Sequence, residues 1–196
     1  MYARRNPSHG AARWPGMHTL RSSLLLGLLA TLPLQAQDSA VVFPTVSGRS
    51  LEGRELVFPR DLPGDRNVVL VAFQRWQQRE VDSWMPTLRR LRASDSALAV
   101  FELPTLGQTW RPVRGWIDGG MRSGIPDRAV REATVTLYLD KGPFKRALGI
   151  PDEAHIQLLV LDRGGVVRSR IIGAATGEGI ARLETALRHG VGAPGR

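Results

Sequence analysis

Residues 68–73 (VVLVAF) are apolar at every position, and half of them are β-branched. A short unbroken run of this kind is how a strand covered on both faces of a parallel sheet reads. The period then changes. After the polar stretch 74–78, Val81, Trp84, Met85, Leu88 and Leu91 recur at three- and four-residue spacing, which predicts an amphipathic helix from Glu80 onward. Pro86 falls inside or near its first turns, where proline is tolerated early and kinks a helix later. Arg89, Arg90 and Arg92 fall toward its C-terminal end, favourably for the helix dipole.

Upstream, residues 41–46 (VVFPTV) form a first apolar segment. Leu51, Leu56 and Phe58 then alternate with polar residues around two glycines, a β-hairpin or a strand and turn. The Pro-, Gly- and Asp-rich stretch 59–66 is a loop that delivers the chain to Val68. Downstream, residues 98–103 (LAVFEL) supply the next strand and complete a βαβ unit. In residues 104–126, Trp110, Val113, Trp116, Ile117 and Met121 keep helical spacing, but Gly115, Gly119, Gly120 and Gly124 loosen it. A short helix plus a loop over one sheet edge is expected there. Residues 128–132 add a helical turn, 134–139 (TVTLYL) a strand, and 143–148 a short helix ended by Gly149. Residues 156–161 and 166–172 are strands joined by Asp-Arg-Gly-Gly, a tight-turn signal for an antiparallel hairpin. Thr176 is a fair N-cap for a last helix carrying Ile180, Leu183 and Leu187.

The order of elements resembles the thioredoxin-like superfamily, over roughly residues 43–188. The pieces that carry the likeness are the VVLVAF strand, the proline eight residues after Gln78, the LLVLDRGGVV hairpin and the opening FPTVSGRSLEGRELVFPRDL. The resemblance implies an α/β fold, a thioredoxin-like three-layer α/β/α sandwich with a mixed central sheet. It also implies a cysteine pair separated by two residues where strand hands over to helix, a place that lowers a thiol pKa. Those positions fall on Gln78 and Val81, and the chain has no cysteine at all. The superfamily's cis-proline before the final hairpin is replaced as well, by His155 and Ile156. A non-proline cis bond costs about 3 kcal/mol, so a trans bond is expected there.

Local features are similar to the mitochondrial ATP synthase assembly factor ten family, a thioredoxin-like group that assists incorporation of a membrane subunit. They are FPTVSG with SLEGRELVFP, the helix entry Val81-Asp82-Ser83-Trp84, the strand FELPTL and LLVLDRGGVVRSRIIGAAT, with Asp162, Gly165 and Arg168 as the best-matching piece. The resemblance implies an assembly or chaperone-like role.

Composition changes this picture at the N-terminus. Residues 24–34 (LLLGLLATLPL) make an apolar run of signal-peptide length, below the roughly 20 residues of a spanning helix. An export signal over residues 1–36 is expected, with Ala36 last before cleavage and Met17 a plausible true start; an uncleaved anchor is the alternative. A single domain over 37–190 and a disordered tail, 191–196, follow. The formal charge of +9 over 196 residues includes four Arg and no acid before residue 37, so export leaves a net charge near +5. The remaining Arg are scattered among acids, and no nucleic-acid motif accompanies them, which argues against a nucleic-acid partner. An exported chain without cysteine has neither disulfides nor thiol chemistry.

No phosphate-binding glycine loop, nucleophile elbow or local metal pair is present, so no catalytic residue, cofactor or metal is expected. Asp140 and Asp162 read as cap and turn residues. The candidate site is the loop 75–80, at the C-terminal end of a central strand and the N-terminus of a helix, where open α/β sheets bind ligands. Arg75 and Arg79 could hold a carboxylate or phosphate there. Alternatively Arg79 and Glu80 are solvated and Trp76 covers the sheet edge. Trp84 is expected in the core; Trp110 and Trp116 stay open between core and partner surface. The leading expectation is an exported, redox-inactive binding or assembly module holding a protein partner through Arg75, Trp76, Gln78, Arg79, Trp110 and Trp116. Peripheral membrane association is a further expectation. The alternative is a thiol-independent enzyme or small-anion binder at the same loop.

Overall fold

In the computed structural model, residues 40–189 are described. The expected export signal and the C-terminal tail lie outside them. The described residues belong to one compact unit. Seven strands and five α-helices follow one another as β1 (Val46–Ser50), β2 (Glu55–Phe58), β3 (Arg66–Ala72), α1 (Gln78–Ser94), β4 (Leu98–Gly107), α2 (Arg114–Gly124), α3 (Arg128–Ala133), β5 (Val135–Leu139), α4 (Lys141–Leu148), β6 (Gln157–Leu161), β7 (Val167–Ile172) and α5 (Gly177–His189). Short 3₁₀ segments, Arg75–Gln77 and Gln108–Val113, lead into α1 and α2.

The sheet runs β2-β1-β5-β4-β3-β6-β7. β3 pairs parallel with β4 and antiparallel with β6, so the run VVLVAF is interior, as its composition requires. Its side chains alternate between two cores. Val68, Leu70 and Ala72 join Trp84, Leu88 and Leu183 under α1 and α5. Val69, Val71 and Phe73 join Phe43, Phe58, Phe144 and Leu148 under α4. These two apolar layers on one mixed sheet are the α/β/α sandwich.

The structure changes several boundaries. α1 starts at Gln78, and Pro86 is its ninth residue, not a first-turn residue. Proline there removes the bond to the Asp82 carbonyl, but both residues are exposed and water takes that acceptor. β4 continues through Pro104 to Gly107, because after its last pair with β3 (Ala72 with Pro104) it pairs with β5 from Thr105. Residues 114–124 form a continuous helix despite four glycines. The hairpin turn matches its signal: Asp162 accepts from Val166 N and from the Arg168 guanidinium, and Gly165 adopts φ +82°. A Cβ on Gly165 would run into the Pro59 ring, so both its conformation and its surroundings require glycine. Asp140 caps α4, accepting from Gly142 N.

Candidate functional site

The strand directions bring five chain segments to one end of the sheet. Ala72 ends β3 opposite Pro104, Gln157 begins β6 beside Val71, and Ile172 ends β7 beside Gln157. The segments after β3, β4, β5 and β7 and the one before β6 therefore meet at the C-terminal end of β3.

The loop after β3 is closed by Gln77, which is fully buried. Its Oε1 accepts from Phe73 N at 2.7 Å and Gln74 N at 3.1 Å, and its Nε2 donates to the Glu153 carbonyl at 2.7 Å. The Glu153 side chain then ties in Gln74 Nε2 at 2.8 Å, Lys141 Nζ at 2.9 Å and Lys145 Nζ at 3.2 Å. Burial would raise the Glu153 pKa, but the two ammonium groups outweigh it and hold the carboxyl below its ordinary range.

A second junction sits one turn into α1. Glu80 accepts from Ile156 N at 2.9 Å through one oxygen, and its other oxygen lies 2.7 Å from His155 Nδ1. Ser83 Oγ accepts from Ala175 N, and the buried Trp84 indole donates to the Gly173 carbonyl at 2.9 Å. The segments flanking the final hairpin are thus latched to α1 by side chains of its first two turns.

The two positions at which the resemblance would put a cysteine pair differ in character. Val81 is fully buried in the core under α1, and Gln78 is exposed, donating to Asp82 Oδ1 at 3.1 Å. Beside them, Glu102 of β4 is pushed up to about 7 by burial first and by the Asp82 carboxylate second, with a hydrogen bond from Gln78 opposing. The His155–Ile156 peptide is trans, as expected; the cis peptide among the described residues is Phe58–Pro59.

Arg75 and Arg79 are exposed and take part in no ion pair among the described residues. Trp76 is 57% exposed, so more than half of its surface is open to solvent, and Glu80 is not merely solvated. Trp110 and Trp116 are 54% and 83% exposed, whereas Trp84 is wholly buried. Nothing in the 3₁₀ segment 108–113 or in α2 is buried. This arm is held through Asp118, which accepts from the Tyr138 hydroxyl at 2.8 Å, and by Arg122 near Glu52. Burial, then the bond to Asp118, raises the Tyr138 pKa well above its ordinary value. Among the described residues, Trp76, Trp110, Val113, Trp116 and Ile172 are exposed large apolar side chains of this end; Val41 and Val42, beside the β6–β7 turn, are the other two.

The sequence singled out the loop and the tryptophans but not Gln77, Glu153, Lys141 or the Glu80–His155 pair. The one local signal was spacing: Gln74 and Gln77 stand three apart, and each side chain bonds the other's backbone in a capping box. No group of side chains able to hold a metal occurs among the described residues. None of their helices is long and apolar enough to cross a membrane.

No family model and no curated protein matches this chain. Solved structures do. A protein assigned to electron transport in Aquifex aeolicus VF5 superposes with a TM-score of 0.58 at 12% identity, over 79% of this chain and 99% of that one. A thiol:disulfide interchange protein from Bacteroides sp. gives 0.50 at 16% identity, over 79% and 91%. BsSco, of the Sco family of cytochrome c oxidase assembly proteins, gives 0.51 at 10% identity, over 77% and 96%. Identities this low carry the fold alone: the chain has a thioredoxin-like α/β/α sandwich, built without a single cysteine.

Proposed function

We propose that this chain is a redox-inactive thioredoxin-like binding module that holds a protein partner at the C-terminal end of β3, in an assembly or chaperone-like role. The observation that supports it most is the gathering of exposed Trp76, Trp110, Trp116 and Ile172 at that end, while the chain lacks any thiol. Isolated exposed apolar residues are ordinary; several large ones grouped at one end mark an interaction surface. Exposed Arg75, Arg79 and Gln78 surround Trp76 with donors suited to carboxylates and backbone carbonyls. The local resemblance to the ATP synthase assembly factor ten family supports the assembly role, and the apolar run 24–34 supports export. The anion-binder reading has less support, because Glu80 already places a carboxylate in the first turn of α1, where the helix dipole favours a negative charge.

A photo-reactive residue at position 76, introduced into the chain in its native cells, tests the proposal. One recurrent crosslinked protein is expected, lost on Arg75→Glu/Arg79→Glu substitution. Recovery of no protein, or of a random set indifferent to that substitution, overturns it.

A further inference from the structure

The arm between β4 and α3 has an organisation that the loop 75–80 does not share. Residues 108–113 are a 3₁₀ helix, which has three residues per turn, so side chains three apart stand in line. Trp110 and Val113 form such a line, and Trp116, three residues further on in the first turn of α2, stands about 60° off it. All three are exposed, Trp116 most of all at 83%. Arg111 and Arg114, one position on from Trp110 and Val113, form a second line beside the first. Both are exposed and neither joins an ion pair among the described residues. Asp118, the one acid of residues 108–124, accepts from the Tyr138 hydroxyl and forms an ion pair with neither arginine among the described residues. The inward residues are Ile117 and Met121, half-buried.

An apolar row edged by tryptophan, flanked by a row of unpaired arginine, matches the boundary of a bilayer. Indole rings favour the depth of the headgroups, and guanidinium groups bond phosphate. We propose that the 3₁₀–α2 arm seats on an anionic phospholipid surface, with Trp110, Val113 and Trp116 in the interface and Arg111 and Arg114 on phosphates. This rests on the binding-module reading and alters it at one point: the loop around Trp76 holds the protein, whereas Trp110 and Trp116 face a membrane at which the arm places that complex.

The test uses the chain from Asp38 onward, so that the apolar run 24–34 is absent. Its co-sedimentation is measured with vesicles of phosphatidylcholine alone and of phosphatidylcholine mixed equally with phosphatidylglycerol. Binding to the mixed vesicles alone is expected, with a blue shift of tryptophan emission. The Arg111→Glu/Arg114→Glu variant and the Trp110→Ala/Trp116→Ala variant should each bind more than about tenfold more weakly, with unchanged thermal midpoints. Binding should also fall steeply by roughly 0.5 M salt. No binding to mixed vesicles, or equal binding to both kinds, overturns the proposal. So does a photo-reactive residue at position 116 that captures a protein while vesicles are ignored; that outcome leaves the reading of the Trp76 loop intact.

Discussion

α1 and α2 both carry tryptophan on an apolar stripe, and the fold treats them oppositely. α1 crosses β3 and β4 with Val81, Trp84 and Leu88 fully enclosed, and its first turns bond the segments on both sides of the last hairpin. α2 has no buried residue, and a Cβ on Gly115, Gly119, Gly120 or Gly124 would meet nothing within 4 Å. The difference teaches that an apolar stripe states a demand for cover, and that only the rest of the chain decides whether cover is supplied. α1 meets that demand internally. α2 meets it only in part, at half-buried Ile117 and Met121, and leaves Trp116 uncovered.

The largest effect should come from Trp84→Ala, which empties the core under α1 and loses the bond to Gly173. A loss of about 3–5 kcal/mol is expected in urea unfolding; a loss below about 1 kcal/mol would erase the contrast with α2. Glu102 should come next. Its carboxyl, raised from 4.5 to about 7 in the fold, binds a proton more tightly folded than unfolded. Its contribution is therefore complete below about 4.5 and is lost as pH rises through about 7, so stability should fall across that window by an amount on the order of 1–3 kcal/mol, discounted for its partial exposure. Glu102→Gln should remove most of that slope in unfolding curves collected from pH 4 to 8. An unchanged slope would show that α1 does not enclose this group.

Effects on the arm should be smaller. Gly119→Ala meets open space and gains helix propensity, so slowed amide exchange confined to 114–124 is expected, equivalent to about 1 kcal/mol. Destabilisation would mean that a neighbour occupies that face. Trp116→Ala should change global stability least, within about 0.5 kcal/mol. A larger loss would place Trp116 in the core and dissolve the distinction between the two helices.

How much of this could be read along the chain follows from the range of each cause. β3, α1 and the Asp162–Gly165 turn rest on patterns within a few residues, and they appear within a residue or two of where those patterns put them. The site rests on pairings across the fold. Glu80 meets His155 and Ile156 across some 75 positions, and Gln77 reaches Glu153 across 76. No local periodicity records such a meeting, so His155 reads as a missing proline and Glu80 as a solvated acid. Trp76, Trp110 and Trp116 failed to resolve for a related reason: spacing reports an apolar face but is silent on what lies opposite it. Pro104 misled in a simpler way, since its place near the changeover of β4 from β3 to β5 lets a strand continue through a residue that donates no bond.

The single amide of Gln77 has one further consequence. By bonding the backbone at Phe73, Gln74 and Glu153, it freezes the segment that displays Arg75 and Trp76 before any encounter takes place. Ordering a loop during association costs about 1–2 kcal/mol for each residue fixed. Here that backbone entropy is surrendered once, during folding, so a partner of the kind proposed would meet the main chain under Trp76 already in place.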